Sequence, residues 1–199
     1  MKAVRVGEPG TVRVADVPEP RLHDPRDAIV KVTAAAICGA DLFPVHGLTP
    51  GFDDATVLGH EFVGTVADVG PSVQSVRVGQ RVVCSSMVSD GTCPHCRAGR
   101  PTQCERRSLF GYSGVYPRLD GAHFEHDYKL DAGLMFEREL TLRFSIGDPV
   151  SDRERLMRMV LDGKLEPERV VSHRMALDDA AQAYQLFDKQ IATKAVLYP

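Results

Sequence analysis

Short strand-like runs, closed off one after another by Gly and Pro, are what most limits the fold of this chain. Lys2 to Val6 and Thr11 to Val17 flank the turn signal Gly7-Glu8-Pro9-Gly10, and Ala28 to Ala36 is a run rich in Ile and Val after a Pro-marked loop. Phe62 to Val69 and Arg81 to Val83 follow, separated by Gly70-Pro71 and Gly79-Gln80. Closely spaced strands with such turns predict a barrel or sandwich. The 17 Gly and 13 Pro among 199 residues support the same β-rich reading. With 43% hydrophobic residues the chain can bury a substantial core.

Two places carry metal-binding side chains. His60-Glu61 enters the apolar run that starts at Phe62, and Cys38 ends the run Ala28 to Ile37. A His-Glu pair alone is more often exposed surface than a ligand pair. Cys38 changes that balance, because thiolate plus imidazole favours zinc, and Glu61 can orient such a site or ligate it. Further on, Cys93, Cys96 and Cys104 are spaced C-x2-C-x7-C within loop 84–107. Two thiolates two residues apart grip one ion from a tight knuckle, and a third closes the loop around it. Five Cys is an odd count, and three lie close together, so metal ligation in a reducing compartment fits better than a disulfide framework.

Cys38-Gly39-x-Asp41 followed by Gly59-His60-Glu61-x-x-Gly64 resembles the catalytic half-site of the zinc-containing medium-chain alcohol dehydrogenases, and the likeness extends to both ends of the chain. The resemblance implies a mainly β fold with added α, an α+β arrangement. Its centre would be a partly open GroES-like barrel over 1–128, with a C-terminal strand-helix portion over 129–199 packed on the same domain. It implies a catalytic-type zinc on Cys38, His60 and Glu61, and a structural zinc in loop 84–107. The family has a Cys where this chain has Asp90, so Asp90 with Cys93, Cys96 and Cys104 is the expected structural set, with Cys84 as rival fourth ligand. The resemblance points to His123 as a pocket residue that could complete the first site in place of Glu61. His126, three residues on, would face away from it in a strand. Where the family relays protons, this chain has Ala40 and Phe43, leaving His46 as a nearby candidate alongside Glu61 and His123 for proton transfer.

The family's dinucleotide domain has no counterpart here. No G-x-G-x-x-G occurs, and no βαβ unit fits between Tyr128 and Leu134, so no Rossmann domain and no NAD(P) are expected. The residues Glu139 to Arg143 read as a strand. Ser151 to Glu154 reads as a capping box opening a helix whose Leu156, Met157, Val160 and Leu161 are ordinary core. Leu177 to Phe187 reads as a second helix capped by Asp178, and Ala195 to Leu197 as a closing strand.

The function expected from these readings is a non-redox zinc enzyme, a lyase, hydratase, cyclase or hydrolase acting on a small oxygenated substrate. A non-catalytic partner module and a domain-deleted dehydrogenase are the alternatives. A face left open by the missing domain would favour a homodimer. Net charge of −3 gives no reason to expect nucleic acid, and no apolar run approaches the roughly 20 residues that span a bilayer. The charged start Met1-Lys2-Ala3-Val4-Arg5 is not a signal peptide, so a cytoplasmic location is expected.

Overall fold

A computed structural model of the chain describes residues 1–49, 51–53, 55–112, 131–141 and 147–199. Its strands are β1 (Lys2–Val6), β2 (Val12–Asp16), β3 (Ala28–Ala36), β4 (Glu61–Val69), β5 (Arg81–Cys84), β6 (Met87–Val88), β7 (Ser108–Leu109), β8 (His173–Ala176) and β9 (Ala195–Tyr198). The helices are α1 (Leu42–Val45), α2 (Pro94–Arg97), α3 (Ala132–Glu137), α4 (Pro149–Leu161) and α5 (Ala180–Asp188). β1 pairs with β2, β6 with β7, and the main sheet runs β5-β4-β3-β9-β8. The result is a mixed α/β fold built on open sheets. No helix among the described residues is long and apolar enough to cross a membrane.

The strands expected from Gly/Pro punctuation form where the apolar runs lie. β3 and β4 pair antiparallel, with register shifts at Ile29/Val30 and Val32/Ala34 that bend the pair. Gly64 belongs at this bend, because a Cβ there would sit 2.3 Å from the Lys31 carbonyl oxygen. The last strand crosses the whole chain to reach its neighbours. β9 lies antiparallel to β3, with Ala35 opposite Leu197, and parallel to β8, with Met175 opposite Leu197. A parallel pair needs a crossover, and α5 supplies it, packing on β2, β8 and β9. The core accordingly mixes both ends of the chain: Val4, Val12 and Ile37 are buried with Ala183, Ala195 and Leu197.

Several local readings change in the folded chain. α4 opens at Pro149, where the fixed φ of proline suits the first helical position, and its cap is Asp148, which accepts from the Ser151 backbone N–H at 3.1 Å. Ser151, the expected cap, instead donates its hydroxyl to the Gly99 carbonyl at 2.9 Å. Gly163 does end the helix, with φ of 68°. The apolar side of α4 is not core, however, since Met157 is 51% exposed and Leu161 79%. Asp178 lies in a 3-10 turn before α5 and pairs with Lys2 at 2.6 Å rather than capping the helix. Glu139 to Thr141 do not form a strand: Glu139 has φ of 48°, which extended backbone does not allow. The remainder of that expected strand, residues 142 and 143, lies outside the described residues, and of the stretch between Tyr128 and Leu134, too short for a βαβ unit, only residues 131–134 are described.

Candidate metal centres

The first centre forms where two strand ends meet. β3 runs into Ile37, which is buried and donates its N–H to the Ala195 carbonyl of β9 at 3.0 Å. Cys38 follows in extended conformation (φ −103°, ψ 154°) and turns into a 3-10 segment, Gly39–Asp41. From the other side Gly59, at φ of 106°, makes a bend that favours glycine and sets His60 at the mouth of β4. The Cys38 thiol, the His60 ring and the Glu61 carboxylate thereby come within 4.8 Å of one another.

Asp41 organises this group. It is fully buried, and one carboxylate oxygen accepts from the Cys38 backbone N–H at 2.9 Å. The other lies 3.1 Å from His60 Nδ1. With Nδ1 turned to a carboxylate, Nε2 is the nitrogen left for a metal, the usual arrangement of a ligating histidine. Burial works against a charged His60, but Asp41 and the Cys38 thiol outweigh it and push its pKa up to about 10. A metal ion must therefore displace a proton from this ring. Glu61 is held by Lys194, whose ammonium lies 2.9 Å from the carboxylate and also donates to the Ile37 carbonyl at 3.0 Å. Tyr112 covers the His60 ring edge-on at 6.3 Å and donates its hydroxyl to the Ala40 carbonyl.

The second centre lies in loop 84–107. Cys93 caps α2, with Pro94 at the first helical position, and its sulfur accepts from the Cys96 N–H at 3.5 Å. The Cys104 sulfur accepts from the backbone N–H groups of Asp90 and Arg106, at 3.5 and 3.3 Å. Asp90 turns one carboxylate oxygen to the N–H groups of Thr92 and Cys93, at 2.8 and 3.1 Å. Those donors hold its carboxyl well below the usual range. Its other oxygen is buried without a hydrogen bond, 3.4 Å from Arg106. Donor groups of Asp90, Cys93, Cys96 and Cys104 lie within 4.8 Å of one another. Backbone N–H groups of Cys96 and Glu105 lower the Cys93 thiol, whereas burial and the neighbouring thiols push Cys96 up to about 11. Three sulfurs and a carboxylate oxygen with no hydrogen bond form a donor set that suits tetrahedral zinc.

The other sequence candidates lie elsewhere. Cys84 is on β5 opposite Phe62, apart from the loop cluster. His46 follows α1 and binds Asp188 at the end of α5 at 3.0 Å, and it belongs to neither cluster. His123 and His126 lie outside the described residues. Asp41 stands in the Cys38-Gly39-x-Asp41 motif, which by itself gives it no role. Its position three residues after Cys38 is the spacing of a side chain that reaches back to a cap, and this is the signal that could have found it. Lys194 had no such signal, being 133 positions from Glu61.

Beside the first centre a cleft of about 680 Å³ opens between the β3–β4–β5 face and the start of α4. His60, Glu61, Ser85, Ser86 and Arg153 supply its polar groups, and Ala35, Phe62, Val83 and Val150 lie among its apolar wall.

Comparison with known proteins agrees with the fold. Residues 24–126 match the family described as the alcohol dehydrogenase GroES-like domain. The zinc-type alcohol dehydrogenase-like protein AdhB of Bacillus subtilis is 36% identical over 133 residues, covering 63% of this chain and 35% of the relative. Zinc-type alcohol dehydrogenase B of Aspergillus flavus is 39% identical over 126 residues, covering 63% of this chain and 28% of the relative. The chain thus spans about a third of the length of the curated relatives it matches. Among solved structures, alcohol dehydrogenase TADH from Thermus sp. ATN1 superposes with a TM-score of 0.86 at 22% identity, over 100% of this chain and 99% of that one. At that identity the likeness concerns the fold.

Proposed function

The chain belongs to the family of the alcohol dehydrogenase GroES-like domain, and from that premise we propose that it is a zinc-dependent, non-redox catalyst acting on a small oxygenated substrate. The carrying observation is the meeting of Cys38, His60 and Glu61, of which His60 and Glu61 line a cleft of about 680 Å³, a size that suits a small molecule. Zinc bound there supplies Lewis-acid polarisation of a carbonyl or hydroxyl oxygen. Cys38 and His60 hold it, Asp41 fixes the imidazole, and Lys194 sets the position of the Glu61 carboxylate, which can ligate or pass a proton. Asp90, Cys93, Cys96 and Cys104 hold a second, structural zinc.

The non-redox part of the reading rests on the sequence. It has no glycine-rich phosphate turn, and it has Ala40 and Phe43 where the family relays protons. Closely set thiols at metal-ligand spacing fit a reducing compartment, hence the cytoplasm. The exposed Met157 and Leu161 of α4 favour pairing of two copies.

Zinc per chain in protein purified without added metal, compared with a Cys38→Ala/His60→Ala variant, tests the proposal. Two ions falling to one is the expected result. One ion in both proteins removes the catalytic-type centre, and tight binding of NAD(H) or NADP(H) by the chain removes the non-redox reading.

A further inference from the structure

The charges around the cleft do not cancel. Glu61 is the acidic group of its lining, and Lys194 neutralises it at 2.9 Å. Arg153 is then left as the basic group of the opposite wall. Its Nε lies 3.4 Å from the neighbouring Glu154, but both side chains are exposed, at 69% and 74%, and an ion pair of that kind contributes little. Asp148 is also acidic and close in sequence, yet one of its oxygens accepts from the Ser151 N–H and caps the helix, and the other lies 2.9 Å from the Ser151 hydroxyl oxygen. Ser85 adds a hydroxyl that accepts from the Met87 N–H at 3.2 Å, so its proton remains free to donate.

Arg153 is placed by the fold. It opens the second turn of α4, whose start is fixed by the Asp148 cap and by the Ser151 hydroxyl on the Gly99 carbonyl of the metal loop. The loop around Cys93, Cys96 and Cys104 therefore contacts the start of the helix that carries the arginine.

We propose that the cleft takes a substrate bearing an oxyanion group, a carboxylate or a phosphate, which Arg153 and Ser85 bind while the oxygen to be activated faces His60 and Glu61. A guanidinium is suited to this task, since its planar donors meet two oxygens at once. The inference rests on the metal-centre reading for the orientation of the substrate and on Arg153 for its class.

Ligand-observed NMR titration of the zinc-loaded full chain at low ionic strength tests it with two matched pairs: pyruvate against acetone, and dihydroxyacetone phosphate against dihydroxyacetone. In at least one pair the charged member binds at least about tenfold more tightly, equivalent to about 1.4 kcal/mol, and the pair that shows this identifies carboxylate or phosphate. Arg153→Gln abolishes the preference and Arg153→Lys retains part of it; at so exposed a position neither change threatens folding. Equal affinity within both pairs, or a preference that survives Arg153→Gln, overturns the inference. Unchanged zinc content in the Cys38→Ala/His60→Ala variant defeats the metal-centre reading, whereas equal affinity within both pairs, or a preference that survives Arg153→Gln, defeats the substrate class, so the two failures are separately visible.

Discussion

Asp41 lies between Cys38 and His60 without exposure to solvent, and its carboxylate is engaged from both sides. Asp41→Asn keeps the shape and removes the charge. Zinc affinity at the first centre is expected to fall about 10–100-fold, the usual cost of losing a partner behind a metal ligand. Competition against a chromogenic chelator measures this, and unchanged affinity would contradict the role given to Asp41. The same residue controls a pH effect in metal-free protein. His60 has a folded pKa of about 10, above its unfolded value of about 6.5. Its stabilising protonation is therefore fully present below about pH 6.5 and is lost as pH rises through about 10. Urea unfolding across that range should show a steeper decline in the natural chain than in Asp41→Asn, and parallel curves would count against the pairing.

At the scale of elements, the metal loop and α4 differ in what holds them. The loop has almost no apolar core of its own and turns on Asp90, which accepts two backbone N–H groups and offers an oxygen to the thiolate cluster. Asp90→Ala is expected to empty the loop of zinc during dialysis against chelator, whereas Asp90→Cys should retain it at least as firmly, thiolate being the softer ligand. Equal retention by the alanine variant would exclude Asp90 as a ligand. α4 shows the opposite balance. Its pattern of Leu, Met and Val has helical spacing, yet none of its residues is buried. At a dilution where single copies prevail, Leu161→Glu should therefore change stability by less than about 0.5 kcal/mol, whereas pairing through this face at higher concentration makes the change larger. A loss of about 2 kcal/mol or more in denaturant unfolding would mean that this face is covered in solution, as a dimer requires.

For the molecule as a whole, the decisive connection joins the two ends of the chain. β9 pairs with β3 beside Ile37, and Lys194, just ahead of β9, reaches Glu61. The C-terminal strand thus supports both the core and the first metal centre. Leu197→Ala removes a buried side chain, 4% exposed, and is expected to cost about 2–5 kcal/mol. Because β9 also positions Ile37 and Lys194, the same variant should lose zinc from the first centre before the second. Metal content after partial chelation, read alongside the unfolding midpoint, checks both parts. Simultaneous release from the two centres would show that β9 does not act on the first one selectively.

The sequence by itself determined the short strands, because Gly and Pro interrupt the apolar runs through local backbone preference alone. It also marked the two candidate donor groups, since Cys38, His60 and the Cys93-Cys96-Cys104 spacing are statements about residue type. Local signals failed where two forces compete for one residue: Ser151 binds Gly99 instead of capping α4, and Asp178 binds Lys2 instead of capping α5. Only the tertiary structure decided that Asp41 faces His60, that Lys194 holds Glu61, and that the apolar side of α4 lies exposed. Each depends on how distant segments pack, and spacing along a chain carries no record of which segment arrives beside it.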